Sequence, residues 1–416
     1  MEFPDFDTAR YILTLKYKSI KALKQTEKQP ETATEEIVLE FAGARSEKYE
    51  LNSRKPKVEK AVLEDDLSRR DFTVNAMALP TSAFGGLRRA SLTTLKKELV
   101  DPFNGQKDIK DKILRTPLDP DATFSDDPLR MMRAVLFAGQ LGFAIENKTL
   151  EAIYRNRERI KIISAERVQE ELFKMLAVKQ PSVCFTLLFQ THLLDLILPE
   201  VAALDGVEEV YGHQHKNNLS HTLKVVDNIA ERSDKLNLRL AGLLHDIGKS
   251  GTKKFIPRVG WTFYQHEHLG KKLVYDISKR LRFSTDLSKY LGKMVRYHQQ
   301  PISLMDEGIT DSAVRRLIVN LGENLEDLLT LGVSDITTGN PNKLKQRQNN
   351  YARLRQRIDE VIEKDKLRAF QSPFRGDEIM KECGLKPGPT VGKIKEAIEE
   401  AILDGIIPKS PLLSPL

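Results

Sequence analysis

Only two cysteines, Cys184 and Cys383, stand in 416 residues, and they lie far apart. That excludes a disulfide framework and a thiolate zinc site, and it points to a reducing compartment. Tryptophan occurs once, at position 261. No run of about 18 apolar residues is present, so no membrane span is expected. The start lacks the basic-then-apolar order of a secretion signal, and the expected location is the cytoplasm. No internal repeat of about 20–50 residues is visible, which excludes a solenoid or propeller. Charge is what the chain has in quantity: 30% of residues are charged and 40% are hydrophobic, with a net charge of +7. The pI is near 9.1 and the mean hydropathy −0.39. Such a chain builds real cores, and its modest positive excess suits a polyanionic partner such as RNA without requiring one. Its length fits two to four domains at about 100–200 residues each.

The most informative stretch is Leu63–Ala78, LEDDLSRRDFTVNAMA. Acids precede the adjacent Arg69 and Arg70; Asp71, an aromatic, a Thr and Asn75 follow. A planar guanidinium fork suits phosphate oxygens, and Asp or Asn side chains take sugar hydroxyls. The plainer alternative is a charged helix start with surface ion pairs. Upstream, TARYILTLKYKS and Ile37–Ala42 read as strands, with a polar loop over 23–36 between them. Glu40 is the acid inside the second strand's apolar pattern, either a metal ligand or an edge acid facing water.

Ser125–Phe143, SDDPLRMMRAVLFAGQLGF, reads as one helix. Ser125 is its expected cap, Asp126 and Asp127 favour its positive end, and Pro128 is tolerated in the first turn. Asp127, Arg130 and Arg133 recur every three residues and share a face. An Asp accepts from the exocyclic amine that C and A both carry, and an Arg donates to the ring acceptors beside it. Such a pair takes C and A and rejects U and G; a surface salt bridge is the alternative. In Ile162–Leu176, Ser164 is placed to cap a helix with Glu166 and Arg167 in its first turn. His192, among leucines, reads as a core histidine.

Five of the eight histidines fall between 221 and 298. His221 opens an amphipathic helix, His245 and Asp246 sit together in LLHDIGK, and His266, His298 and Asp335 follow. Neutral imidazoles and carboxylates on neighbouring helices suit a divalent metal at a mixed N/O site, and such a metal activates water against a phosphoester. His213, His215 and His268 are expected to be spectators. HEHLG lacks the second His of a zincin helix, which disfavours a metalloprotease. Tyr351, Leu354, Ile358 and Val361 keep helical spacing in a charged segment, and two short helices follow around Gly384.

EDDLSRRDFTVNAMA resembles the nucleotide-binding motif of the bacterial tRNA nucleotidyltransferase (CCA-adding enzyme) and poly(A) polymerase family. SDDPLRMMRA resembles that family's base-templating motif, with Asp126 in place of Glu, and ISAERVQEE resembles its neck. The set from His221 to Asp335 resembles the HD phosphohydrolase superfamily. The resemblance implies an α+β protein, with a small nucleotidyltransferase β-sheet head followed by a mainly α-helical neck, HD domain and tail. The expected boundaries are 1–115 for the head, 116–205 for the templating and neck region, 206–345 for the HD domain and 346–416 for a tRNA-binding tail. It implies addition of C and A to tRNA 3′ ends from CTP and ATP. Arg69, Arg70, Asp71 and Asn75 then hold triphosphate and ribose, and Asp127, Arg130 and Arg133 select the base. Mg²⁺ sits on three head acids, of which Glu40 matches one, and a second divalent metal sits at the HD site. The family's Gly-Gly-x-Val-Arg-Asp turn and Asp-x-Asp pair have no counterpart in context. PDFDTARY aligns instead with a later Phe-Gly-Thr-Ala strand, which makes Asp5-Phe6-Asp7 accidental and the head N-terminally incomplete. Weak or absent transfer by these 416 residues is therefore expected. The alternatives are a phosphohydrolase working through the HD residues alone and a non-catalytic RNA-binding protein.

Overall fold

A computed structural model describes residues 2–3, 8–18, 32–48, 57–80, 98–206, 209–210, 213–214, 217–305, 310–365, 374–403 and 406–407. Asp5, Asp7, His215 and the 408–416 tail lie outside the described residues. The fold is α+β: a strand-bearing head, then helices. The chain divides into two compact units, residues 1–130 with 144–156, and 131–143 with 157–416.

In the first unit, β1 (Glu2–Phe3), β2 (Thr8–Lys18) and β3 (Thr32–Ala42) form an antiparallel sheet in that order. The β2–β3 ladder runs unbroken from Thr8↔Ala42 to Lys18↔Thr32 and places Glu40 opposite Arg10. The polar Thr32–Glu36, read as loop from composition, extends β3, because β2 supplies a partner for every one of these residues. Pairing overrides propensity there. A second hairpin, β4 (Arg45–Lys48) with β5 (Lys57–Lys60), leads into the short helix Leu63–Ser68.

Phe72, Phe124 and Leu114 are fully buried beneath this region. Polar groups fix the chain around them. Thr73 donates its hydroxyl to buried Asp108 at 2.6 Å, and Arg115 pairs with the same carboxylate at 2.9 Å. Asp101 caps the helix Gly105–Asp111, accepting from the N–H of Gly105 at 2.6 Å and of Gln106 at 3.0 Å. Asn104 takes a left-handed φ of 59° to enter that helix. Asp101, Asn104, Gly105 and Asp108 are thus structural.

The second unit is a helical assembly in which two polar clamps at helix ends seat the helices that matter. Asp227, on the helix Asn218–Ala230, accepts from the N–H and hydroxyl of Ser182 at 2.9 and 2.7 Å, anchoring the start of Pro181–Gln190. Buried Arg239, on Leu236–Leu244, donates to the carbonyls of Leu176 and Val178 at 2.8 and 3.2 Å. A cation on those carbonyls closes the end of Ala165–Ala177. Cys184 is buried against Gly139, and burial pushes its thiol up to about 12, which removes it from chemistry at neutral pH. His192 is not a core residue. It stands exposed in a left-handed turn after Pro181–Gln190 and pairs with Asp195 at 2.6 Å. Tyr351, Leu354, Ile358 and Val361 bury the inner stripe of Pro341–Asp365, and Gly384 ends the helix Gly376–Cys383 at φ 63°. No helix among the described residues is long and apolar enough to cross a membrane.

Gly105 approaches Thr73 so closely that an added Cβ lies 2.3 Å from the Thr73 carbonyl oxygen. Gly105→Ala is expected to cost the first unit about 1–3 kcal/mol by overpacking. Urea unfolding followed by circular dichroism measures it; unchanged stability contradicts the close approach.

Candidate functional sites

The first candidate site is assembled around one carboxylate. Asp66 stands at 6% exposure in the short helix Leu63–Ser68, whose first turn is acidic as the helix dipole favours. It accepts from Arg69 at 2.5 Å and from Arg70 at 3.1 Å, and the Arg45 N–H lies 3.4 Å away. Burial alone raises its pKa, but the hydrogen bonds from Arg69 and Arg70 outweigh that and hold it below the ordinary 3.8. Two guanidiniums thus converge on one carboxylate. Arg70 is the more exposed of the pair. Asp71 is buried, and its Oδ1 accepts from the Phe72 N–H at 3.0 Å and the Asn75 amide at 3.2 Å, which braces the turn between them.

Ser125–Phe143 is not one helix. Pro120–Asp126 forms one helix and Leu129–Leu141 the next, so Ser125 lies inside the first rather than capping the second. Asp127 is extended, at φ −133° and ψ 97°. Pro128 explains the break, because its ring disfavours helical backbone at the residue before it. Asp127 becomes the cap itself, its Oδ1 accepting from the Leu129 N–H at 3.2 Å. Arg130 sits in the first turn beyond and donates to the Arg69 carbonyl at 2.7 Å, across 61 residues of sequence. That bond joins the first turn of Leu129–Leu141 to the end of Leu63–Ser68. Arg133 follows one turn along the helix with its guanidinium 5.1 Å from the centre of the Phe137 ring. Glu40 is placed by its strand register alone.

The second candidate site gathers His221, His245, Asp246, His266, His298 and Asp335 in the second unit. All stand at or near helix ends. His221 is in the first turn of Asn218–Ala230, whose cap Asn217 accepts from the Ser220 N–H. His245, His298 and Asp335 are the residues that terminate Leu236–Leu244, Thr285–Tyr297 and Leu325–Ser334, and His266 begins His266–Arg280. Three imidazoles are oriented in the same way. His245 Nδ1 lies 2.7 Å from the Gly242 carbonyl, His266 Nδ1 2.8 Å from that of Phe263, and His298 Nδ1 2.8 Å from that of Val295. A carbonyl only accepts, so each Nδ1 carries a proton and Nε2 turns inward, where a ring that gives up its second proton to a bound cation would present a lone pair. His221 Nδ1 contacts the Thr337 hydroxyl at 2.8 Å, leaving its Nε2 2.9 Å from Asp335.

Ligand atoms form two groups, His221–His245–Asp335 and Asp246–His266–His298, each within 4.8 Å. Asp246 spans both. Its Oδ2 lies 3.2 Å from His245 and 3.5 Å from His221, and its Oδ1 3.4 Å from His266 and 3.7 Å from His298. Buried His245 Nε2 meets these carboxylates without the directionality of a hydrogen bond. A lone pair aimed at shared acids rather than at a donor fits a cation, and the N/O donor set fits a divalent ion of borderline or hard character. Burial opposes charge on His245, but Asp246 and Asp335 outweigh it and push its pKa up to about 10. Burial and the charge of His245 push His298 down to about 4.

Lys249, not singled out from the sequence although it stands three residues after Asp246, belongs to this site: its ammonium is 2.6 Å from Asp246 Oδ2. Thr337 likewise reads as ordinary loop polarity until the fold brings it to His221. For Asp66, the signal was present in its i,i+3 and i,i+4 spacing to two arginines.

Comparison with known proteins gives the following. Residues 8–115 match the family model of the poly A polymerase head domain, 142–204 that described as "Probable RNA and SrmB-binding site of polymerase A", and 218–362 that of the HD domain. An A-adding tRNA nucleotidyltransferase of Deinococcus radiodurans is 31% identical over 348 residues, covering 82% of this chain and 75% of that protein. A multifunctional CCA protein of Hahella chejuensis is 35% identical over 244 residues, covering 57% of this chain and 53% of that protein. One from Pseudomonas fluorescens is 34% identical over 243 residues, 57% and 54% of the respective chains. The matches thus span about half the length of these multifunctional relatives. The crystal structure of the Bacillus stearothermophilus CCA-adding enzyme in complex with CTP superposes with a TM-score of 0.56 at 22% identity, over 90% of this chain and 76% of that one. That likeness shows the fold.

Because the Asp66 carboxylate is held below its ordinary pKa, its stabilising contribution is complete above about 4 and is lost as pH falls through the lower folded value. Asp66→Asn is expected to destabilise the first unit by about 1–3 kcal/mol at neutral pH, the cost of weakening charged hydrogen bonds. The gap to the unmutated chain closes on acidification. Urea midpoints across the acid range measure this, and a gap independent of pH contradicts it.

Proposed function

Since this chain belongs to the bacterial tRNA nucleotidyltransferase and poly(A) polymerase family, we propose that it binds CTP and ATP and is built to add C and A to tRNA 3′ ends. The observation that carries the reading is the Arg130–Arg69 hydrogen bond. It fixes a base-reading side chain directly on the arginine pair that faces phosphate. The reaction class is attack of a terminal tRNA hydroxyl on the α-phosphate, with pyrophosphate leaving. In it Arg69 and Arg70 neutralise the triphosphate, and Asp71 and Asn75 hold the turn and face the ribose. Asp127 and Arg130 read the amine and ring acceptors shared by C and A, and Arg133 lies next along the helix. Mg²⁺ supplies charge neutralisation and hydroxyl activation to such heads when bound. Glu40, on β3, is the residue proposed to contribute to that metal's carboxylate set.

The test is incorporation of labelled nucleotides into tRNA lacking its CCA end, with Mg²⁺. Incorporation is expected to be confined to CMP and AMP. Arg130→Ala is expected to lose about tenfold or more of that preference, the discrimination one good side-chain–base contact provides. Incorporation of UMP or GMP at comparable rates overturns the reading.

The six-residue cluster favours a second activity in the same chain, hydrolysis of a small phosphoester. His221, His245, Asp246, His266, His298 and Asp335 are the residues to hold a divalent metal, which when bound supplies an activated water. Lys249 holds Asp246 in place and offers positive charge to a phosphate. Mn²⁺ at about 100 times its Kd is expected to raise stability by roughly 2.7 kcal/mol, by linkage. Asp246→Ala is expected to abolish that shift, read by thermal unfolding; a shift that survives the substitution places the metal elsewhere.

A further inference from the structure

Between Asp246 and His266, both in the six-residue cluster, the chain runs through the short helix Lys249–Thr252 and then a β-hairpin. No acidic residue occurs between Asp246 and Glu267, while Lys249, Lys253, Lys254 and Arg258 share the segment with Phe255, Trp261, Phe263 and Tyr264. The strands Lys254–Ile256 and Gly260–Thr262 pair antiparallel, with Phe255 opposite Trp261. Those two rings meet edge to face at 5.4 Å, and the Lys253 ammonium lies 4.8 Å above the indole. Arg258 turns the tip at φ 67°. Lys254, Ile256 and Arg258 are exposed, and Val259 and Tyr264 are 63% and 70% exposed. Apolar and aromatic groups held in water next to cations call for a partner that offers both flat faces and negative charge. The root is equally specific: the Lys249 ammonium lies 5.7 Å from the centre of the Phe263 ring while bonded to Asp246, and the Phe263 carbonyl orients His266.

We propose that this hairpin is a single-stranded RNA surface that leads a terminal phosphoester into the six-residue centre. The placement of the terminus rests on the hydrolytic reading of that centre; the binding surface does not. Bases in a duplex keep their faces stacked on each other, whereas an unpaired strand presents bases that stack on Tyr264 and the indole and phosphates that meet Lys254 and Arg258. An anionic membrane also attracts cations and aromatics. It is disfavoured because a lipid headgroup offers negative charge but no flat face to stack on the exposed Tyr264 ring.

The chain's one tryptophan lies on the hairpin, so intrinsic fluorescence of the full protein reports on this surface without background from other indoles. Titration with a hexameric oligocytidylate is expected to quench it saturably, with binding that weakens as salt rises. The double variant Lys254→Glu, Arg258→Glu is expected to weaken binding tenfold or more, and Tyr264→Ala about tenfold, the loss of one stacked base. Both variants should keep the circular dichroism of the parent and its Mn²⁺ stabilisation. Absence of quenching, quenching unaffected by charge reversal, or quenching by phosphatidylglycerol vesicles but not by the oligonucleotide overturns the proposal. Hydrolysis of a 2′,3′-cyclic nucleotide is measured alongside. Quenching without hydrolysis counts against the hydrolytic reading and leaves the strand surface standing, whereas hydrolysis without quenching removes the surface and leaves the centre.

Discussion

The backbone groups that a helix leaves unpaired at its ends are the constraint on which both candidate sites depend. In the HD cluster, His245 and His298 at helix C-termini bond carbonyls of the last turn, at Gly242 and Val295, and His266 at a helix start bonds the carbonyl of Phe263 in the turn before it. That single local bond sets the tautomer and aims Nε2 at Asp246. In the head, Asp127 answers the N–H groups of the helix that follows, and the carbonyl of Arg69, at the end of the helix before, receives Arg130. Chemistry is placed where the backbone already needs a partner, so the bonds that finish a helix also orient a functional side chain.

The two centres handle buried charge differently. Around Asp66 two arginines share one buried carboxylate and stay partly in water, so hydrogen bonds from the guanidiniums offset the cost of burying it. Around Asp246 four imidazoles, two carboxylates and Lys249 are gathered in a largely buried space. There the rings titrate against one another, one pushed up and another down. An arrangement of that kind is costly unless a cation or a full set of hydrogen bonds satisfies it. The bonds at the outer nitrogens are made, and the inner ones are aimed at a shared point.

Much of this was legible in the sequence, for identifiable reasons. HDIGK and its companion histidines announce themselves because imidazole is rare in a helical core, and all six positions converge as expected. RRD stands out through two adjacent guanidiniums, and the fold brings both onto Asp66. Other features were hidden by competing physics. Asp127 was drawn into a continuous helix because apolar spacing hid the veto that Pro128 places on the residue before it. Thr32–Glu36 is polar enough to pass for a loop and becomes strand only through its partner. His192 sits among leucines in sequence yet turns outward at positive φ. Arg239 and Asp227 look like ordinary surface charges, because nothing local says that a helix end forty or more residues away is their partner.

The central claim is that one chain carries two separate equipped centres, one for a nucleotide and one for a metal. A crystal structure of the 416-residue protein soaked with CTP and Mn²⁺, read by anomalous scattering, tests it most directly. The account predicts the triphosphate on Arg69 and Arg70 with the cytosine edge against Asp127 and Arg130, and a Mn²⁺ peak among His221, His245, Asp246, His266, His298 and Asp335. CTP bound away from the arginine pair, or no Mn²⁺ peak at Asp246, would contradict it.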